Sequence, residues 1–247
     1  ATANLLDTSA NTTETSVMIK RLKIVVVAVI IGMAICAGGI WLLAKTLEDR
    51  PSLYRGKPLN YWIAQANSHD AAAGSQAREY LTNKVVPLLI DKMLHDHADS
   101  RLKAALVEHL NGLPLIFINY SPASGRRAMA AFELGAIGPM ARRGVPALIQ
   151  VLKSQDHGAR IPAANSLGDI HSDPDLVIPA LIECLDDKLE DLPEAAASSL
   201  AKFGRQAKAA VPKLVKMLSN KEDDVRAAAA QALKQIDPQA AAKAGVK

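Results

Sequence analysis

Two markers recur along the second half of this chain with one period. Val145-Pro146-Ala147-Leu148 returns as Ile178-Pro179-Ala180-Leu181 and again as Val211-Pro212-Lys213-Leu214, each step being 33 residues. Leu134, Leu167, Leu200 and Leu233 keep the same spacing independently. A chain repeating at this interval folds as stacked units, each burying its apolar face against its neighbours. Proline fits the first turn of a helix, where its missing N–H has no partner to lose. Val-Pro-Ala-Leu therefore predicts the start of a short helix, as over Val145–Lys153. Polar turns follow at Ser154-Gln155-Asp156, Asp186-Asp187-Lys188 and Asn220-Lys221-Glu222-Asp223. A second helix then runs to Leu-Gly-x-Ile or a variant. Its small residues Ala163, Ala164, Ala195, Ala196, Ala228 and Ala229 predict close helix–helix approach. Gly138 and Gly204 stand where a helix end needs a left-handed residue.

The second helices read Arg127 to Ile137, Arg160 to Ile170 and Arg226 to Ile236, with Arg-x-x-Ala-Ala-x-x-Leu-Gly-x-Ile as their pattern. With the Val-Pro-x-Leu first helices they resemble HEAT repeats, of the short variety found in bacterial proteins and in the phycobilin lyase-type subgroup. The resemblance covers 121–238 and implies a solenoid, with Arg127 bracing the adjoining unit. Pro193 in place of the repeat's arginine and Ala201 in place of its glycine depart from the pattern. Upstream, Val86-Pro87-Leu88-Leu89 predicts another first helix, with Arg101-Leu102-Lys103-Ala104-Ala105 on its partner and an apolar insertion from Leu113 to Tyr120. Pro58–Asn67 and Ala71–Asn83 read as a divergent capping pair, since a terminal unit lacks one neighbour. Gln231, Lys234 and Gln235 make the last helix polar, and Ala240–Lys247 reads as a fraying tail.

Near the N-terminus, Ile24 to Leu43 is a run of 20 residues without charge or proline. At about 1.5 Å per residue it spans roughly 30 Å, the thickness of a bilayer's hydrocarbon core. A cleaved signal has a shorter apolar stretch, about 7–15 residues. Here 23 residues precede the run, bulky Ile35 stands before Cys36, and Ala1 is what removal of an initiator Met would leave. The run is therefore expected to be an uncleaved anchor. Lys20, Arg21 and Lys23 place its N-terminal end inside, and Trp41 marks the far interface. Tyr54, Tyr61 and Trp62 suit the headgroup layer, and packing on the first helix beyond it explains Tyr61 and Trp62 equally well. Gly32, Ala34, Ala37, Gly38 and Gly39 would let another membrane helix pack closely.

The expected fold class is thus all-α: one N-terminal transmembrane helix followed by a short α-solenoid of HEAT-like helix pairs. The expected segments are a polar tail (1–19), the anchor (20–46), a linker with divergent helical units (47–120), the repeats (121–238) and a C-terminal tail (239–247). The expected location is a bacterial inner membrane, single-pass, with the N-terminus cytoplasmic and the solenoid periplasmic.

Charge is distributed unevenly. Residues 144–204 sum to −6 and residues 205–247 to +5. An acidic band between basic ones argues against nucleic acid, which selects a continuous basic stripe. No chemistry-bearing constellation stands out. His95-Asp96-His97, with Asp99, lies in a polar turn without further ligands, so no metal is expected. Ser198 and Ser199 lack a His–Asp context, Cys184 suits a small core position, and nothing calls for a cofactor. Arg126, Arg142 and Arg143 are expected to lack the structural role of Arg127 and to face an acidic partner or anionic lipid. Exposed positions of the second helices, His157, Asn165, Asp169, Lys202, Asp224 and Lys234, are candidate protein contacts, as is the acidic band Asp186–Glu194.

These residues point to a non-enzymatic, membrane-anchored scaffold. Its partners would be the lipid bilayer and other membrane protein subunits, which it would assemble or stabilise as an accessory subunit. A membrane-tethered recruitment or sensor protein is the alternative within the binding class. A bilin lyase-like enzyme is what the subgroup resemblance adds, with no catalytic residue that carries across.

Overall fold

A computed structural model describes residues 52–96, 101–112, 118, 120–189 and 191–246. The apolar run 24–43, the tail before it and the flanking Lys20, Arg21, Lys23 and Trp41 lie outside these residues, as do Gly32, Ala34, Ala37, Gly38 and Gly39. Among the described residues no helix is long and apolar enough to cross a membrane. Residues 50–99 and 121–247 form one compact unit, from which 100–120 is separate.

The larger unit opens with a β-hairpin, a small exception to the all-α expectation. Strands β1 (Leu53–Tyr54) and β2 (Lys57–Pro58) pair antiparallel, Leu53 opposite Pro58 and Tyr54 opposite Lys57. Arg55 and Gly56 take positive φ, 51° and 73°, as a tight two-residue hairpin turn requires. The expected capping pair follows as α1 (Leu59–Ala66) and α2 (Ala71–Tyr80), the latter N-capped by Asp70, whose carboxylate accepts from the amides of Ala72 and Ala73. A π-helical turn, Leu81–Val85, carries α2 into α3 (Val86–His95).

Four repeat units follow. Helix α3 packs against α5 (Ala123–Ile137), α6 (Val145–Leu152) against α7 (His157–Ile170), α8 (Pro174–Cys184) against α9 (Leu192–Lys202), and α10 (Val211–Met217) against α11 (Asp223–Ile236). The second helices stack in chain order, α5 on α7, α7 on α9, α9 on α11. Their period-marking leucines 134, 167, 200 and 233 are fully buried, as are Leu148, Leu181 and Leu214 of the first helices. The 33-residue period is thus the spacing of one leucine layer in a continuous core.

The second helix that packs against α3 is α5; α4, the helix that carries Arg101–Ala105, falls in 100–120. Val86 lies 59 residues before Val145, one period plus 26. The extra residues enter at the turn between the two helices of one unit, so stacking on either side is preserved. Within 100–120, α4 (Arg101–Asn111) and the chain after it make a cluster of their own, with Val107, Leu110 and Ile118 buried and Leu106 and Tyr120 beside them. The Asn111 amide donates to the Ile118 carbonyl while its side-chain oxygen accepts the Ile118 N–H, and Lys103 lies over the Tyr120 ring.

Two other expectations change. Pro146 and Pro212 sit in a first turn, as does Pro87, but α8 begins earlier, at Pro174, which leaves Pro179 inside it. The other two units enter their first helices through 3-10 turns, Gly138–Gly144 and Gly204–Ala210, opened by the positive-φ glycines. At the equivalent position α7 ends on left-handed His171, stacked on Phe203 with ring centroids 4.7 Å apart. The C-terminal residues do not simply fray. They form α12 (Pro238–Lys243), because Asp237 caps the amides of Gln239 and Ala240 and Ala241 is buried.

Candidate functional site

Where second helices meet, the chain interlocks small side chains. Ser166 and Ser199, one period apart, are buried and donate from Oγ to the Ala131 and Ala164 carbonyls of the preceding second helix, at 2.8 and 2.9 Å. They press on Gly135 and Gly168 of that helix, where any Cβ would come within 3.0 Å of them. At the next interface both equivalent positions are alanine, Ala201 and Ala232, which explains the departure at Ala201: no hydroxyl has to be seated there. At the first unit Glu133 takes the serine position and its carboxylate accepts from the Tyr54 hydroxyl at 2.8 Å. Burial first, then Glu133, pushes the Tyr54 phenol above its usual value.

A second set of contacts ties turns to second helices. Arg127 donates to the Asp96 carbonyl of its own unit and pairs with Asp156 in the next turn at 2.7 Å. Arg160 donates to the Leu152 carbonyl and pairs with Asp187 of the following turn at 2.5 Å. Among the described residues no repeat unit follows that of Arg226. This arginine binds the Asn220 and Lys221 carbonyls and Asp223 of its own helix. Where Pro193 removes the arginine, cations of the next unit reach back instead: Lys213 donates to the Ile182 carbonyl and pairs with Asp186 at 2.8 Å. The paired carboxyls titrate low: Arg160 holds Asp187, and Lys213 holds Asp186, below the usual carboxylate range.

This geometry alters the reading of the arginine trio. Arg126 grips both oxygens of Asp96, at 2.8 and 2.7 Å, and donates to the Ser121 carbonyl. Arg142 pairs with both oxygens of Asp173, its shortest contact being 2.5 Å, and lowers that carboxyl. The expectation that they lack a bracing role is corrected. Arg126 closes its own unit onto the end of α3, 30 residues back across the insertion, while Arg142 reaches 31 residues on to the turn before α8, in the next unit. Arg143 is exposed and makes no ion pair among the described residues.

The remaining predicted contacts divide by place. Stacking lines up Phe132, Asn165, Ser198 and Gln231 as one exposed row across the second helices, and Ala136, Asp169, Lys202 and Gln235 as the next. Asp169 and Lys202 meet each other across two units at 2.5 Å. His157 and Asp224 lie exposed at the N-terminal ends of α7 and α11. Lys234 occupies the register of Gly135, Gly168 and Ala201 and is exposed, no further second helix stacking on α11 among the described residues. Asp186 and Asp187 of the acidic band are engaged by Lys213 and Arg160.

The expectation did not include Met129 and Phe132 on α5, 52% and 62% exposed. The signal was present, since Phe132 stands one period before Asn165 in the outward register. Three residues apart, the two side chains share one helix face, and they give the otherwise polar row an apolar end.

Of the other candidates for chemistry, His97 and Asp99 lie outside the described residues and Ser198 is exposed, while His95, Asp96, Cys184 and Ser199 make structural contacts. Asp96 is held by Arg126, and His95 Nδ1 lies 3.0 Å from Asp91. Among the described residues no group of three His, Cys, Asp or Glu is placed to hold a metal. Cys184 is buried, its thiol 3.4 Å from the Ala180 carbonyl, and burial pushes its pKa up to about 11. Ser199 is committed to the helix interface described above.

The family comparison accords with this architecture. The family profile described as HEAT repeats matches residues 118–201 and 178–244. No curated protein matches the sequence. Among solved structures, the complex of CpcE and CpcF of phycocyanin lyase from Nostoc sp. PCC7120 is similar at 26% identity and TM-score 0.49, over 77% of this chain and 68% of that one. Two engineered proteins are similar at 23% and 19% identity with TM-scores of 0.40 and 0.44, each over 76% of this chain and over 85% and 87% of theirs.

Proposed function

The chain belongs to the HEAT-repeat family, and on that premise we propose that it is a non-enzymatic scaffold, held to a membrane by 24–43, that binds a protein subunit on its second-helix face. Its role is that of an accessory or assembly subunit of a larger membrane complex, with the solenoid on the periplasmic side of a bacterial inner membrane. The observation that carries the binding reading is the outward apolar pair Met129 and Phe132. Methionine and phenylalanine are enriched at protein interfaces relative to other surface. Beside them the outward rows present a hydrogen-bonding and charged surface through Asn165, Asp169 and Lys202. The anchoring reading rests on the sequence of 24–43.

Crosslinking and mass spectrometry on native membranes test the whole. Crosslinks from Lys202 to another membrane subunit, lost when Phe132→Asp is introduced, are the expected result. A monodisperse monomer in mild detergent that captures nothing counts against the scaffold. Recovery of the chain from the soluble fraction counts against the anchor.

A further inference from the structure

The hairpin end of the larger unit carries a set of outward groups that the repeats do not use. Tyr54 and Trp62 are committed inward: Tyr54 is buried against Glu133, and Trp62 donates from its indole N–H to the Tyr54 carbonyl at 2.7 Å. Packing, not a headgroup layer, accounts for those two. Leu53 and Tyr61, by contrast, are 57% and 40% exposed. Three cations accompany them. Arg55, at the hairpin tip, lies 4.4 Å from the centre of the Tyr80 ring, and Lys57 lies 5.4 Å from that of Tyr61. Lys84, on the π-helical turn, shares with Arg55 a cleft of about 230 Å³, also lined by Asn83 and Glu79. None of the three cations makes an ion pair among the described residues, although Glu79 lines the same cleft.

We infer that this end is a membrane-surface contact for anionic phospholipid, with Leu53 and Tyr61 entering the headgroup region and Arg55, Lys57 and Lys84 taking the phosphates. The inference rests on the anchoring reading given above. Nine residues separate Leu43, the last of the apolar run, from Leu53. Ten extended steps reach at most about 35 Å, so an anchored chain keeps the hairpin close to the bilayer. A cation flanked by aromatics with an exposed apolar side chain is the composition that interfaces select, the ring at headgroup depth and the charge toward phosphate. Each such cation near an anionic leaflet multiplies surface occupancy by about five. Glu79 opposes this within the cleft, and the three cations outnumber it.

Hydroxyl-radical footprinting of the full chain in nanodiscs tests the contact. The discs contain either phosphatidylcholine alone or phosphatidylcholine with phosphatidylglycerol. Leu53 and Tyr61 should be modified at least about fivefold more slowly in the anionic discs. Phe132 and Leu176, exposed on the repeats, serve as internal references and should not change. A combined Arg55→Glu, Lys57→Glu, Lys84→Glu variant should incorporate equally well and lose the protection. Equal modification in both discs, with the chain incorporated, overturns the inference and leaves the anchor standing. Protection that appears only with a copurified subunit marks a protein occupant and also overturns it. Failure of the chain to incorporate at all overturns the anchor, and this inference with it.

Discussion

Replacing Gly168 with alanine sets two well-defined effects against each other. In an isolated helix the change favours folding by about 0.5–1 kcal/mol, through helix propensity and a less flexible unfolded chain. In this protein the added Cβ would lie 2.8 Å from both Cβ and Oγ of Ser199 and 3.0 Å from its Cα. A backbone atom at that distance cannot rotate away, so α7 and α9 must separate. Overpacking of this kind costs about 1–3 kcal/mol. The shift also stretches the buried bond from Ser199 to the Ala164 carbonyl, and a buried hydroxyl left without its acceptor costs about 1–3 kcal/mol more. The steric terms therefore win, and Gly168→Ala should destabilise by roughly 2 kcal/mol, read as a lower urea midpoint at unchanged slope. Gly158→Ala is the internal control. Its added Cβ meets nothing closer than 3.6 Å, so propensity should prevail and the midpoint hold or rise. Combining Gly168→Ala with Ser199→Ala rebuilds the Ala201–Ala232 arrangement one unit earlier and should recover part of the loss, with a coupling of at least about 0.5 kcal/mol. A Gly168→Ala protein as stable as its parent would refute the interlock.

The arginine braces should weaken toward the end of the array. Arg160→Ala, whose side chain is 13% exposed, should cost about 1–3 kcal/mol. Arg226→Ala, at 38% exposure and with its partners Asp223, Asn220 and Lys221 all in its own unit, should cost less than about 1 kcal/mol by the same denaturation assay. Acid should destabilise the fold. Asp96, Asp173, Asp186, Asp187 and Asp237 all hold lower pKa values folded than unfolded, so the native state binds fewer protons. Their contribution is complete above about pH 5 and is lost as pH falls below about 4. Urea midpoints from pH 7 to pH 3 should show that fall, with a shallower one in Asp187→Asn. Alkylation of Cys184 at pH 8, followed by peptide mapping, should run about two orders of magnitude slower than in the unfolded chain, because the thiol is buried and shifted up to about 11.

The repeating part of the fold was legible because one spacing reports one packing layer. Leu134, Leu167, Leu200 and Leu233 mark the core, and each falls where the period puts it. The partner of α3 was not legible. Arg101-Leu102-Lys103-Ala104-Ala105 carries the same helical lettering as the authentic second helix, and only the 59-residue interval to Val145 betrays the insertion. The roles of Arg126 and Arg142 were hidden for a related reason: their partners sit in turns, whose composition looks merely solvated. The Gly–Ser interlock and the outward Phe132 could both be seen by aligning the units on their period. Doing so pairs Gly135 with Gly168 and Phe132 with Asn165. Core reading attends to large apolar residues, and these positions hold either no side chain or one facing out.

The insertion between α3 and α5 has a consequence for how such a chain can change. The leucine layers stack through helix flanks, while the turn joining a unit's two helices touches its neighbours only through its aspartates, Asp156, Asp186 and Asp187 among them. Twenty-six additional residues there leave the spacing of every later layer intact. The corresponding turns offer equivalent ports at 153–155, 188–189 and 218–222, where a splice leaves Asp156, Asp186 and Asp187 with their partners. A reporter domain or recognition segment spliced into one of them should ride on the array without altering its pitch, so the scaffold can acquire cargo sideways while its length stays set by the number of units.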